Sequence, residues 1–140
     1  DGNASISGGE GNDSLMVSSG SNNLDGGSGN DVLIGGSGND TLIGGTGDDL
    51  LEGGKGFNTL TGGTGFDRFV LNTGEGFSTI TDFQAGFDKV LIGSSDAITA
   101  QYTKQDTLLF AGADHLGTIL NAKLVETEKG IWGSALRPLA

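Results

Sequence analysis

The 140 residues include no cysteine, one proline, one tryptophan and a single histidine. Without cysteine there is neither a disulfide framework nor a thiolate site for zinc. The lone His115 cannot form an imidazole pair, and a Ser-His-Asp arrangement would have to use it in GADHLG, with no nucleophile elbow nearby. A zinc-protease motif and a phosphate-cradling loop with its lysine are also missing. This stretch is therefore expected not to be an enzyme, with any chemistry carried upstream of Asp1. No hydrophobic run approaches the length of a transmembrane span. Basic residues are scarce: seven against eighteen acidic ones give a net charge of −11. That balance argues against nucleic acid or an anionic membrane as partner and for bound cations. Hydrophobic residues make up 34% of the chain, so the core must be thin. The leaderless start at Asp1 suggests a fragment of something longer.

What the sequence has in place of these is glycine, 28 of them, unevenly spread. Residues 1–70 hold 20 glycines, ten acids and two bases, whereas residues 71–140 hold 8 glycines, eight acids and five bases. The shift places a boundary near Leu71, with a repeat domain over 1–70 and a second unit over 71–140.

From Gly8 the first half divides into contiguous nines: GGEGNDSLM, VSSGSNNLD, GGSGNDVLI, GGSGNDTLI, GGTGDDLLE, GGKGFNTLT and GGTGFDRFV, ending at Val70. The fourth place is always Gly, the sixth always Asp or Asn, and the eighth always large and apolar. A truncated copy, DGNASIS, precedes them with Ala4 sixth and Ile6 eighth. A period of nine fits a tight turn of six residues plus a strand of three. In the triplet the middle side chain faces inward and its neighbours outward. Two units close an 18-residue coil, and stacked coils build a narrow leucine core between two parallel sheets. The expected fold is all-β, a two-sheet right-handed β-solenoid of the β-roll kind, followed by a β-rich C-terminal cap.

Sixth-place residues of alternate windows stack on one side. One ladder reads Asp13, Asp31, Asp49, Asp67, and the other Ala4, Asn22, Asp40, Asn58. Bare carboxylates about 4.8 Å apart repel. That spacing is roughly twice a calcium–oxygen distance, so Ca²⁺ midway reverses the sign, taking a carboxylate from each turn and carbonyls from the glycine loops. The candidate glycines are Gly9 and Gly11, Gly27 and Gly29, Gly36 and Gly38, Gly45 and Gly47, Gly54 and Gly56, and Gly63 and Gly65. Glycines at the first, second and fourth places suit either positive φ or backbone pressed against a neighbour. The all-Asp ladder should bind calcium more tightly than the Asn-containing one, because affinity follows ligand charge. One leucine per nine ordered residues does not offset backbone entropy, so the ion-free chain is expected to be disordered.

These windows resemble GGxGxDxUx, the calcium-binding repeat of the bacterial RTX (repeats-in-toxin) family. The resemblance implies a parallel β-roll loaded with several Ca²⁺, export by type I secretion machinery reading a C-terminal signal, and folding outside the cell. Family members include proteases, lipases, cytolysins, adhesins and surface-layer proteins. DRFVLNTGEGFSTITDFQAGFDKVLIG, residues 67–93, reads as strands around glycine turns. It resembles the segment following the repeats in many RTX proteins, D-x-F-x-x-G-x-D-x-I, here at Asp82, Phe83, Gly86, Asp88 and Val90. In relatives these acids hold further calcium, while the plainer reading makes Asp82 and Asp88 ordinary turn acids.

Tyr102, Leu108, Phe110, Leu116 and Ile119 point to two or three antiparallel strands that cap the open end of the stack. In KGIWGSALRPLA, Trp132 belongs either to a flexible secretion signal or to a docked cap residue. Met16, Val32, Ile34, Leu50 and Val70 form an outward apolar stripe expected to meet the C-terminal half or a neighbouring domain. Outward threonines on the other sheet, Thr41, Thr59 and Thr61, are too interrupted for an ice-ordering face. The leading expectation is a calcium-triggered folding and secretion unit of a secreted bacterial RTX protein. The alternative is a ligand-binding or adhesive module of an extracellular or surface-layer protein.

Overall fold

A computed structural model of the chain describes residues 2–74, 76–93, 98–102 and 105–121. Trp132 and the rest of the segment after Asn121 lie outside the described residues. Among the described residues thirteen strands run in chain order: β1 Ser5–Glu10, β2 Ser14–Met16, β3 Asn23–Ser28, β4 Val32–Ile34, β5 Thr41–Thr46, β6 Leu50–Glu52, β7 Gly56–Thr64, β8 Arg68–Asn72, β9 Gly76–Ile80, β10 Lys89–Gly93, β11 Ile98–Tyr102, β12 Thr107–Ala111 and β13 Asp114–Ile119. They form an eight-stranded sheet, β1-β3-β5-β7-β9-β13-β12-β11, and a five-stranded one, β10-β8-β6-β4-β2. Successive strands alternate between the sheets up to β10, and each pairs in parallel with the strand one coil away. The fold is a parallel β-solenoid.

The eighth-place residues build the core. Leu24, Leu42 and Leu60 stack in register in the larger sheet, and Leu33, Leu51 and Phe69 in the smaller; all six are fully buried. Ile6 and Leu15, at the exposed first coil, are only partly buried against the same core. The flanking seventh and ninth places turn outward, as the two-residue period of a strand requires.

The six-plus-three division of each window holds only for the smaller sheet. There the strands of the repeats before Arg68 are three residues long. On the other side, strands extend through the next glycine pair, so Gly9, Gly27, Gly45 and Gly63 align within the ladder. The shorter side begins with Val17-Ser18 where other windows have Gly-Gly, and its turns carry only the isolated bridges Ser19–Ser37 and Ser37–Lys55.

Both sheets continue past residue 70. Strand β9 pairs with β7 and β10 with β8, but Phe57 aligns with Phe77 and Phe69 with Val90, so longer turns interrupt the nine-residue period. Strands β11, β12 and β13 form an antiparallel meander joined to the roll by a parallel β13–β9 pairing. Leu109, Ala111, Leu116 and Ile119 join the core that contains Leu60 and Phe69. The inward residues of β12 are Thr107, Leu109 and Ala111, and the expected Leu108 and Phe110 lie on its other, half-buried face. TLLFA is apolar on both faces, so alternation alone does not choose between them. Val32, Ile34, Leu50 and Val70 are half-buried and Met16 is exposed. Among the described residues, none of β9–β13 packs against β2, β4 or β6.

Candidate metal centre

Each turn of the roll is held by side chains that replace missing strand partners. The sixth-place residues form two ladders in which Oδ1 accepts the backbone N–H of the equivalent residue one coil earlier. Asp13 N–H donates to Asp31 at 2.7 Å, Asp31 to Asp49 at 2.8 Å, and Asp49 to Asp67 at 3.0 Å. On the other side Ala4 donates to Asn22 at 3.0 Å, Asn22 to Asp40 at 2.8 Å, and Asp40 to Asn58 at 2.9 Å. Both expected ladders are therefore present, in the expected order.

The second carboxylate oxygen is in a different position. Oδ2 of Asp13, Asp31, Asp40, Asp49 and Asp67 is buried and has no hydrogen-bond partner. Each lies under the first glycine of its own window. A Cβ on Gly8 or Gly35 would come within 2.6 Å of Oδ2 of Asp13 or Asp40, and one on Gly26, Gly44 or Gly62 would come closer still to Asp31, Asp49 or Asp67. The glycine roles differ, although from Gly27 on a Cβ at the second or fourth place would also strike the backbone of the coil before. The first place is glycine for lack of room. The second and fourth places, Gly9 and Gly11, Gly27 and Gly29, Gly36 and Gly38, Gly45 and Gly47, Gly54 and Gly56, Gly63 and Gly65, have positive φ.

A buried ionised oxygen without a partner is costly, and a cation compensates it directly. Burial raises Asp67 to about 6 against the pull of its bond from Asp49 N–H, and the charges of Asp88, Asp49 and Asp82 push the same way. Burial also raises Asp49, again against a backbone hydrogen bond, with Asp31 and Asp48 adding repulsion. Among the described residues no three acidic or histidine side chains gather into one cluster. One oxygen of Asp31, Asp40, Asp49 and Asp67 is spent on the ladder, so each of these turns offers an ion one carboxylate oxygen rather than a pair. Main-chain carbonyls must supply the rest, which suits a hard cation such as Ca²⁺.

Asp82 and Asp88 are arranged otherwise. Asp82 accepts the N–H groups of Gly62 and Gly63 at 2.9 and 2.7 Å. Asp88 ends the all-Asp ladder by accepting Asp67 N–H at 3.0 Å, but its Oδ2 accepts Gln84 N–H at 2.8 Å. Burial raises Asp88 despite these two bonds.

A further ladder went unread in the sequence. Fifth-place side chains accept the N–H of the fifth place one coil later: Asn12 from Asn30, Asn30 from Asp48, Asn39 from Phe57 and Asp48 from Phe66, at 2.8–2.9 Å. It runs opposite to the sixth-place ladders and stops at Phe57 and Phe66, which have no side-chain acceptor. The signal was in the windows, where Asn, Ser or Asp fills the fifth place until those two phenylalanines.

The RTX calcium-binding nonapeptide repeat (4 copies) family matches residues 7–42, 16–51 and 43–80, together more than half of the sequence. The chain belongs to this family. Among solved structures, this RTX chain is similar to the AlgE6R3 subunit of the Azotobacter vinelandii mannuronan C5-epimerase, with 26% identity, TM-score 0.49, and coverage of 81% of this chain and 70% of that one. It is also similar to the extracellular lipase LipA from Serratia marcescens, with 17% identity, TM-score 0.44, and coverage of 99% of this chain and 38% of the lipase. No curated protein sequence matches the chain. The repeats bind calcium, and the orphaned aspartate oxygens are where this roll fits a cation.

Proposed function

We propose that this RTX roll is a calcium-triggered folding unit in the C-terminal part of a secreted bacterial protein. In this reading Asp13, Asp31, Asp40, Asp49 and Asp67 supply carboxylate oxygens to calcium, and carbonyls of the glycine turns complete its coordination. The observation that carries the proposal is the set of buried, unpartnered Oδ2 atoms along the turns. Without an ion these charges oppose the stack. With one, the same burial favours it, so binding free energy becomes folding free energy. A chain threaded through type I secretion machinery in low calcium would stay unfolded and would close into the roll outside the cell. Residues 71–140 act as the cap and carry the secretion signal, and any catalytic activity belongs to an upstream domain.

A chain unfolded in chelator should gain β-structure cooperatively at roughly 0.1–1 mM Ca²⁺, read by circular dichroism. Identical spectra in calcium and in chelator would sink the proposal.

One feature favours a second reading, an adhesive or ligand-binding module. Phe57, Phe77, His115 and Phe110 form a continuous ring row across β7, β9, β13 and β12, with successive centroids 6.1, 4.7 and 4.5 Å apart. Phe57 is 71% exposed. A glycan or surface binding assay on the calcium form separates the two readings.

A further inference from the structure

The two asparagines of the sixth-place ladder differ from the aspartates in one respect. Asn22 and Asn58 are just as buried, yet neither contributes a buried atom without a partner. In each, Oδ1 is fixed toward the neighbouring coil by an N–H donor, from Ala4 and from Asp40 respectively. That bond decides which way the amide faces, because a flipped amide would set two N–H groups against each other. The nitrogen therefore sits where an aspartate carries its orphaned Oδ2, and it donates into its own turn. Asn22 Nδ2 donates to the Gly20 carbonyl at 2.9 Å, the Ser19 carbonyl at 3.3 Å and Asp40 Oδ1 at 2.9 Å. Asn58 Nδ2 donates to the Gly54 carbonyl at 3.1 Å. A Cβ on Gly53 would lie 2.7 Å from that nitrogen, the same crowding the other first-place glycines have with Oδ2.

We infer that the Asn22 and Asn58 turns hold no calcium, because the side-chain amide takes the cation's place. A calcium ion in such a turn would need carbonyl oxygens that already accept N–H bonds, and it would face the positive end of an amide dipole. The Asn22 turn departs in its backbone as well. Its window opens with Val17-Ser18, and Ser18 lacks the positive φ that the second place has in the other windows. Two independent departures from the ion-binding turn thus coincide at one position. The inference rests on the calcium reading of the aspartate turns. It goes beyond weaker binding on the asparagine side: these turns are closed by hydrogen bonds that need no ion, which leaves Asp40 as an isolated carboxylate between them.

The test counts calcium bound per full chain by equilibrium dialysis, for the unaltered protein and for the Asn22→Asp/Asn58→Asp variant. The expected result is one additional ion for each turn converted. Equal, non-zero counts would overturn the inference while leaving the calcium reading intact. A count of zero in the unaltered chain would overturn both. Should the variant fail to fold, the unaltered, calcium-loaded chain decides by NMR. Side-chain amide protons of Asn22 and Asn58 that exchange slowly support the inference, and exchange as fast as that of exposed asparagine amides overturns it.

Discussion

Aspartates occur on both sides of Leu71, but the fold accounts for their oxygens differently. In the repeats Asp31, Asp40, Asp49 and Asp67 each give one oxygen to a backbone N–H and keep the other buried without a partner. Beyond Leu71, Asp82 and Asp88 have both oxygens bonded to backbone N–H groups, and Asp114 accepts Gly74 N–H at 2.7 Å. One region therefore leaves buried carboxylate oxygens without a donor, whereas in the other Asp82 and Asp88 have an N–H for each oxygen. The two regions are also coupled, because Asp88 closes the ladder that begins at Asp13 and Asp82 binds the last glycine turn. Calcium dependence should originate in the roll and be transmitted to the strands after it.

The largest effect is expected from separating the regions. A chain ending at Leu71 loses Asp82, Asp88 and strands β9 and β10, so Asp67 N–H loses its acceptor and Leu60 and Phe69 lose the core neighbours Ile80 and Val90. Such a chain should show no cooperative gain of β-structure at calcium concentrations that fold the full protein, measured by circular dichroism. An unchanged calcium midpoint would make the later strands a passenger and break the coupling.

A glycine in each region sharpens the contrast. On Gly44 a Cβ would overlap Oδ2 of Asp49 and crowd the Gly62 carbonyl oxygen. Gly44→Ala should therefore exceed the roughly 1–3 kcal/mol of ordinary overpacking and displace the ion as well, so that folding fails at calcium levels sufficient for the parent. Gly86 has φ +89°, and a methyl group there would meet nothing within 4 Å. Gly86→Ala should cost only the left-handed penalty of roughly 1–2 kcal/mol and still fold. Calcium titrations of the two variants check this, and similar losses in both would show that room beside the carboxylate does not set the glycine requirement at Gly44.

Much of this was legible in the sequence because a repeat states each requirement several times. The period placed Leu24 over Leu42 and Asp31 over Asp49 without any knowledge of the turn's path. What the sequence hid depends on that path. The crowding of Gly26 by a carboxylate five residues ahead shows only once the turn is closed, and so do the opposed directions of the fifth- and sixth-place ladders. The pairing of Phe69 with Val90 was hidden for another reason: the period lapses after Val70, and longer turns shift the offset. The register shift between Leu109 and Phe110, absent from any hydrophobic pattern, leaves Leu116 as the extra residue in β13, so that Leu116 and Gly117 are both buried there while β12 keeps its alternation.

The smallest effect is a proton linkage. Burial holds Asp67 at about 6 in the calcium-free fold, above its ordinary 3.8. A carboxyl raised by folding keeps its proton to higher pH in the fold than in the unfolded chain. The calcium-free fold is therefore favoured by this group below its ordinary value and loses that advantage as pH climbs from about 4 to about 6. The calcium-free chain is unfolded above that window, so the calcium that folds it meets an already ionised carboxyl, and the folding midpoint should change little between pH 5 and pH 7.5. Acid should instead stand in for part of the calcium: in chelator the chain should gain β-structure as pH falls from about 6 to about 4, and Asp49, also raised, adds in the same direction. Asp88 is raised too, although both of its oxygens are bonded to N–H groups, so it adds to the acid effect without offering calcium a free oxygen. Circular dichroism in chelator across this window, beside calcium titrations at pH 5 and pH 7.5, measures both. No gain of β-structure on acidification in chelator, or a calcium midpoint about tenfold higher at pH 5 than at pH 7.5, would overturn this linkage.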